Sequence, residues 1–156
     1  VANAICLGFE SYNIDLNYGL REFDDESFDI IVILDVIEHI VNAEYLLSEM
    51  KRVIRRGGVL ILSTPNFAWW LNRCRILFGK LSHDEGYHYR FFTRKSLDRQ
   101  LKNAGFFPEI WNFSSPAFII NFLRRIVLNK KRIHLRVPNI LGRIFGHTIF
   151  VRAIAT

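Results

Sequence analysis

With 156 residues, half of them apolar, and a mean hydropathy of +0.12, the chain can bury one sizeable core and reads as a single domain. No uninterrupted apolar run of about 18 residues occurs, which argues against a spanning helix. The net charge of +6 hides a split: residues 1–50 carry one basic and eleven acidic residues, whereas residues 51–156 carry twenty basic and four acidic ones. A basic half of this kind meets nucleic acid, a phosphorylated substrate or an anionic lipid surface, or it is a solvated face that neutralises the acidic half. Cys6 and Cys74 stand apart without metal-ligand spacing and read as buried thiols of a reducing, cytoplasmic setting.

In chain order, Val1–Gly8 reads as the tail of a helix closed by Gly8. Ser11–Ile14 follows as a short strand ending at Asp15, and Glu22–Ser27 as a solvated acidic loop. Asp29–Leu34 is a short, almost unbroken β-branched run, the pattern of a strand covered on both faces. Ala43, Leu46, Leu47, Met50, Val53 and Ile54 recur at helical spacing on one face, with Asn42 as cap and Lys51, Arg52, Arg55 and Arg56 at the cationic end. Gly57-Gly58 reverses the chain into a second buried strand, Val59–Leu62, closed by Thr64-Pro65-Asn66. The result is a βαβ unit, in which ligands bind beyond the carboxyl ends of the strands. Asp35–His39 and Ser63–Asn66 are therefore the segments placed for chemistry.

Residues 67–81 mix Trp69, Trp70, Ile76, Leu77 and Phe78 with Arg73, Arg75 and Lys80, an amphipathic helix with a basic face. Its tryptophans suit core packing, a hydrophobic substrate pocket or a membrane interface. His83–Thr93 is a polar loop, and Thr93 caps a helix over Arg94–Asn103 whose apolar stripe is Leu97, Leu101 and Ala104. Phe106–Asn112 is a strand, Ala117–Lys131 an apolar and basic helix, Pro138–Gly146 a connector and Thr148–Ala155 a terminal strand.

The run D-x-S-F-D-I-I-V-x-x-D-V-I-E-H-I, followed by L-x-E-M-x-R-V-x-x-x-G-G-x-L-I-L-S-T-P-N, resembles the second half of class I S-adenosylmethionine-dependent methyltransferases. It is most similar to the type-11/type-12 group that includes the ubiquinone-biosynthesis O-methyltransferases, from about Ile14 to Phe106. The resemblance implies an α/β, Rossmann-like fold with a mostly parallel sheet of order 3-2-1-4-5-7-6. Its antiparallel C-terminal strand inserts between the fifth and sixth. It also implies an N-terminal truncation, because no glycine-rich turn is present among the chain's nine glycines. The Ser11–Ile14 strand would then pair beside the Asp29 strand or fray. Residues 1–156 form one such domain, incomplete at its N-terminus, with a variable insert over residues 113–146.

The same resemblance assigns roles. S-adenosylmethionine is the cofactor, with Asp15 and Leu16 beside the adenine ring and Leu34 and Asp35 along its amino-acid part. His39 is the general base for a hydroxyl nucleophile, Glu38 orients it, and His88 is a second base candidate. Glu38 and His39 can instead ligate a divalent cation or serve as a structural turn; no dedicated metal set stands out. Asn66, Trp69 and Arg90 fall on the substrate side, Arg90 as an anion contact or a tie between loop and sheet. The expected activity is methyl transfer, at oxygen, to a small-molecule or lipid-linked acceptor, with peripheral membrane contact through the basic half. A non-catalytic remnant is the alternative. Nucleic-acid binding is disfavoured, since the aromatics form no stacking platform. Oligomeric state is left open.

Overall fold

The helical periodicity after Asn42 folds as its spacing dictates. In the computed structural model, which describes residues 10–80, 88–116 and 134–156, helix α1 (Ala43–Val53) buries Ala43, Leu46, Leu47, Met50 and Val53 on one face. Tyr45 N donates to Asn42 Oδ1 at 3.1 Å, which satisfies one of the amides left open at the first turn. The helix stops at Val53, one residue short of the periodic pattern, because Ile54 already belongs to strand β2 (Ile54–Pro65).

Strand β1 (Phe28–Leu34) runs parallel to β2, and the register jumps from Phe28 opposite Ile54 to Ile30 opposite Val59. Residues 55–58 are thus a bulge within β2, and Gly57-Gly58 serves that bulge rather than a helix-to-strand turn. Gly57 takes φ +75°, and a Cβ on Gly58 would crowd Ile54 Cγ1 at 2.6 Å and the Asp29 carbonyl at 3.0 Å. Beyond Asn66 come α2 (Trp70–Leu77), α3 (Arg94–Asn103), β3 (Phe106–Pro116), β4 (His134–Val137), α4 (Asn139–Phe145) and β5 (Thr148–Ala155). Thr93 and Ser96 form a reciprocal capping box at the start of α3.

The five strands pair in the order β1-β2-β5-β3-β4, so β5 inserts antiparallel between β2 and β3, as the resemblance implies. β1 and β2 are the one parallel pair among the described strands, and β4 adds a further antiparallel neighbour to β3. Residues 138–146, expected as a connector, contain α4. The expected helices at Val1–Gly8 and Ala117–Lys131, and Cys6, lie outside the described residues. Cys74 is exposed on α2 rather than buried.

One face of the sheet carries the core. Ile33, Leu60, Leu62, Val151, Ala153, Phe106, Trp111 and Phe113 are buried there with the apolar faces of α1 and α3. On the other face Ile30, Val32 and Leu34 are each half exposed or more. The reading of Asp29–Leu34 as covered on both faces is thus corrected: an unbroken apolar run cannot reveal which face finds a partner. Ser11–Ile14 is not a strand either. It has no ladder partner among the described residues, and a strand exists only by pairing. Instead, Arg52 and Glu49 of α1 clasp the segment that follows. Arg52 donates to Leu20 O and Phe23 O, both at 3.0 Å, and Glu49 Oε2 accepts from Leu20 N.

Candidate active site

At the carboxyl end of β1 the chain must turn away from the sheet at once, and Asp35 makes that turn with φ +51°. Asp is among the few side chains that tolerate the left-handed region, since its short polar group bonds locally. Here the support comes from β2: Asp35 N donates to Ser63 O and Ser63 Oγ, both at 3.1 Å, and Ser63 Oγ donates to Asp35 Oδ1 at 2.9 Å.

The 3-10 turn Ile37–His39 comes next, anchored by fully buried Ile37. Its acidic residue points inward. Glu38 is buried, its Oε2 accepts from Thr64 Oγ1 at 3.0 Å, and its carbonyl accepts from Tyr89 N and Arg90 N at 2.9 and 3.1 Å. Burial raises the proton affinity of the Glu38 carboxyl above the usual carboxylate range; bonds from the backbone and from Thr64 offset this only in part. His39 stays accessible, its side chain 42% exposed, with Nε2 4.0 Å from Glu38 Oε1. The ring of His88 lies edge-on to that of His39, centroids 4.7 Å apart. Glu38, His39 and His88 each bring one ligand atom within 4.8 Å of the others, so the structure gathers the three predicted catalytic residues into one cluster.

Asp15 and Leu16 reach the same region by another route. Asp15 caps the 3-10 turn Leu16–Tyr18, its Oδ1 accepting from Asn17 N and Asn17 Nδ2 at 3.0 and 2.9 Å. Asn17 Oδ1 in turn accepts from Val41 N at 3.1 Å, which pins the turn beside the segment that follows His39. Asp15 is exposed and Leu16 packs on the edge of the core. These groups fit S-adenosylmethionine in kind: a carboxylate for the adenine amine, apolar Leu16 and Leu34 for flat surfaces, and the Asp35 carboxylate for a cationic amino group.

Three predicted substrate contacts have internal partners instead. Asn66 is buried, and its amide donates to Gly146 O at 2.8 Å and Arg143 O at 3.3 Å, while its Oδ1 accepts from Ala68 N at 3.1 Å. It ties the end of β2 to α4. Trp69 is buried, its ring edge-on to His147. Arg90 donates to Val41 O at 2.8 and 3.1 Å and to Glu44 Oε1 at 2.9 Å, so it anchors the loop carrying His88 onto the start of α1. Sequence reasoning placed Ser63 and Thr64 in a segment suited to chemistry but did not foresee their bonds to Asp35 and Glu38, and it missed the role of Asn17. The Ser-Thr pair closing an apolar strand was the available signal for the first two; Asn17 carries none.

The sequence signature of the methyltransferase domain family matches residues 6–108, about two thirds of the chain. A probable S-adenosylmethionine-dependent methyltransferase of Mycolicibacterium smegmatis is 36% identical over 98 residues, which cover 60% of this chain and 35% of that protein. A ubiquinone biosynthesis O-methyltransferase of Maricaulis maris is 33% identical over 61 residues, 36% of this chain and 24% of that one. The chain thus spans about a third or less of the length of these relatives. Among solved structures, an S-adenosylmethionine-dependent methyltransferase from Archaeoglobus fulgidus superposes with a TM-score of 0.64 at 14% identity, covering 97% of this chain and 71% of that one. One from Thermotoga maritima, described as a possible histamine N-methyltransferase, gives 0.60 at 22% identity, covering 90% and 61%. With its family signature, its β5 insertion and the match in fold, the chain belongs to the class I S-adenosylmethionine-dependent methyltransferase family.

Proposed function

We propose that this protein transfers the methyl group of S-adenosylmethionine to an oxygen of a small-molecule or lipid-linked acceptor, with His39 as general base. The observation that carries the reading is the accessible His39 imidazole against the buried Glu38 carboxylate at the carboxyl end of the β1–β2 pair. The cofactor supplies an electrophilic methyl on a sulfonium. A hydroxyl attacks well only as its proton leaves, and His39 is placed to take that proton. Glu38, held by Thr64, presents its other oxygen to His39 and stabilises the imidazolium as it forms. Edge-on His88 extends the cluster as a second proton acceptor. Asp15 and Asp35 give this side negative charge, which suits a cofactor bearing a sulfonium and an ammonium.

A second reading has its own support. Three ligand atoms within 4.8 Å suit a divalent cation that would acidify the hydroxyl in place of a base. Chelation separates the two: methyl transfer that persists in EDTA supports the base, and loss restored by added divalent ion supports the cation. The family signature over residues 6–108 supports methyl transfer over the rival remnant reading. Peripheral membrane contact is part of the proposal, because Leu77 and Phe78 are 82% and 78% exposed near exposed Arg73, Arg75 and Lys80. No helix among the described residues is long and apolar enough to cross a membrane.

Calorimetric titration with S-adenosylhomocysteine tests the reading. Saturable binding that Asp15→Ala and Asp35→Asn weaken supports it. A folded chain that binds none contradicts it.

A further inference from the structure

Beyond Asn66, on the side away from β1, an open cavity of about 540 Å³ lies between the ends of α2, α3 and α4. Five cations line it, Arg73, Arg94, Lys95, Lys102 and Arg143, against one acid, Asp98. Asp98 is already paired with Lys102 at 2.8 Å. The other four cations form no ion pair among the described residues. They come from three separate helices, so their convergence reflects the tertiary fold rather than a run of basic sequence.

Like charges gathered around a concavity repel one another, and the arrangement is favourable only when an anion sits among them. The walls are fixed rather than incidental. Ala68 and Arg143 both line the cavity, and both are bonded through their backbones to the one buried Asn66 side chain. Arg73 Nε donates to Ala68 O at 2.8 Å, which orients its guanidinium, and Arg94 is stacked 5.0 Å over the Trp111 ring. The cavity also meets the first residues of α3, where the helix dipole adds positive potential. Its charged donors are guanidinium and ammonium groups, the groups that recognise phosphate oxygens.

We propose that this cavity holds the phosphate or diphosphate group of the methyl acceptor, an assignment that rests on methyl transfer as the activity. Because the Asn66 knot joins the cavity to the end of β2, an acceptor anchored there by its phosphate extends its other end toward the Glu38–His39 cluster. The anion sets the reach of the acceptor, and the cluster acts on whatever hydroxyl arrives.

The test is calorimetric titration of the chain with inorganic pyrophosphate, alongside S-adenosylhomocysteine. One saturable pyrophosphate site per chain is expected, weakened about tenfold in Lys95→Ala and in Arg143→Ala and unchanged in Arg99→Ala, which removes the same charge from α3 outside the cavity. Equal weakening in all three variants, or no saturable binding, would overturn the site and leave methyl transfer standing. Pyrophosphate binding by a folded chain that takes up no S-adenosylhomocysteine would overturn the assignment to a methyl acceptor. Vesicles of phosphatidylcholine with and without phosphatidic acid then identify the source. Competition by the acidic vesicles alone assigns the cavity to a lipid phosphate, and absence of competition assigns it to a soluble one; both outcomes support the proposal.

Discussion

Two flanks meet at Asn66, and they carry opposite charge. On the β1 side stand Asp15, Asp35 and Glu38; on the side of α2, α3 and α4 stand Arg73, Arg94, Lys95 and Arg143. The polarity follows the sequence, since the acidic first third supplies one flank and the basic remainder the other. The difference teaches how two ligands of opposite charge can be sorted in one cleft. On the proposed reading, a cationic cofactor would be drawn to one side and an anionic acceptor to the other, and each would be repelled from the wrong seat.

Removing His39 breaks the comparison most sharply. His39→Ala should lower the methyl-transfer rate about 100-fold while leaving S-adenosylhomocysteine affinity unchanged, as turnover and calorimetry together would show. On the basic flank, Gly142→Ala should destabilise the fold by about 2 kcal/mol in urea unfolding, because the new Cβ overlaps the buried Phe113 ring and that ring has nowhere to move. On the acidic flank, Asp35→Val should cost about 1.5 kcal/mol, for a β-branched residue resists φ +51°, whereas Asp35→Asn should be tolerated.

Glu38 sharpens the contrast through pH. Its folded-state proton affinity is raised by burial, so between the unfolded and folded values the native chain holds more protons than the unfolded one, and stability falls as pH rises through that window. Glu38→Gln should therefore raise stability at neutral pH by about 1 kcal/mol, with the gain vanishing below the ordinary glutamate value. Glu49 runs the other way: its bond from Arg52 lowers its proton affinity, so its contribution is present at neutral pH and is lost in acid. Arg55→Ala, which removes an exposed pair with Asp29, should change stability by less than about 0.5 kcal/mol and serves as the baseline.

How much of this was legible in the sequence depends on how local each feature is. The buried face of α1, the Asn42 and Thr93 caps and the insertion of β5 were readable, since helical spacing and cap chemistry are set within a few residues and the strand order came with the family resemblance. The position of Glu38 and His39 just beyond a strand end was readable, but not the inward turn of Glu38, which depends on Thr64 across 26 positions of sequence. The internal partners of Asn66, Trp69 and Arg90 were hidden for the same reason: a polar or aromatic side chain near a strand end looks alike whether it faces a ligand or a distant group of its own chain. Ser11–Ile14 shows the converse. Its residues favour a strand, but pairing requires a neighbour, and none of the described strands lies beside it. The cationic cavity was invisible because its walls are brought together from positions 68 to 143.

The placement of β5 has a consequence for biosynthesis. Among the described strands, β2 and β3 do not pair with each other and are joined by β5, although β5 is translated some 80 residues after β2 is complete. While the chain emerges from the ribosome, the centre of the sheet is therefore vacant, and the apolar faces of β2 and β3 are exposed to whatever else can pair with them. Pairing of β5 with both neighbours comes late in synthesis, so a ribosome pause just before the codon for Thr148 should prolong the interval in which nascent chains of this protein need a chaperone.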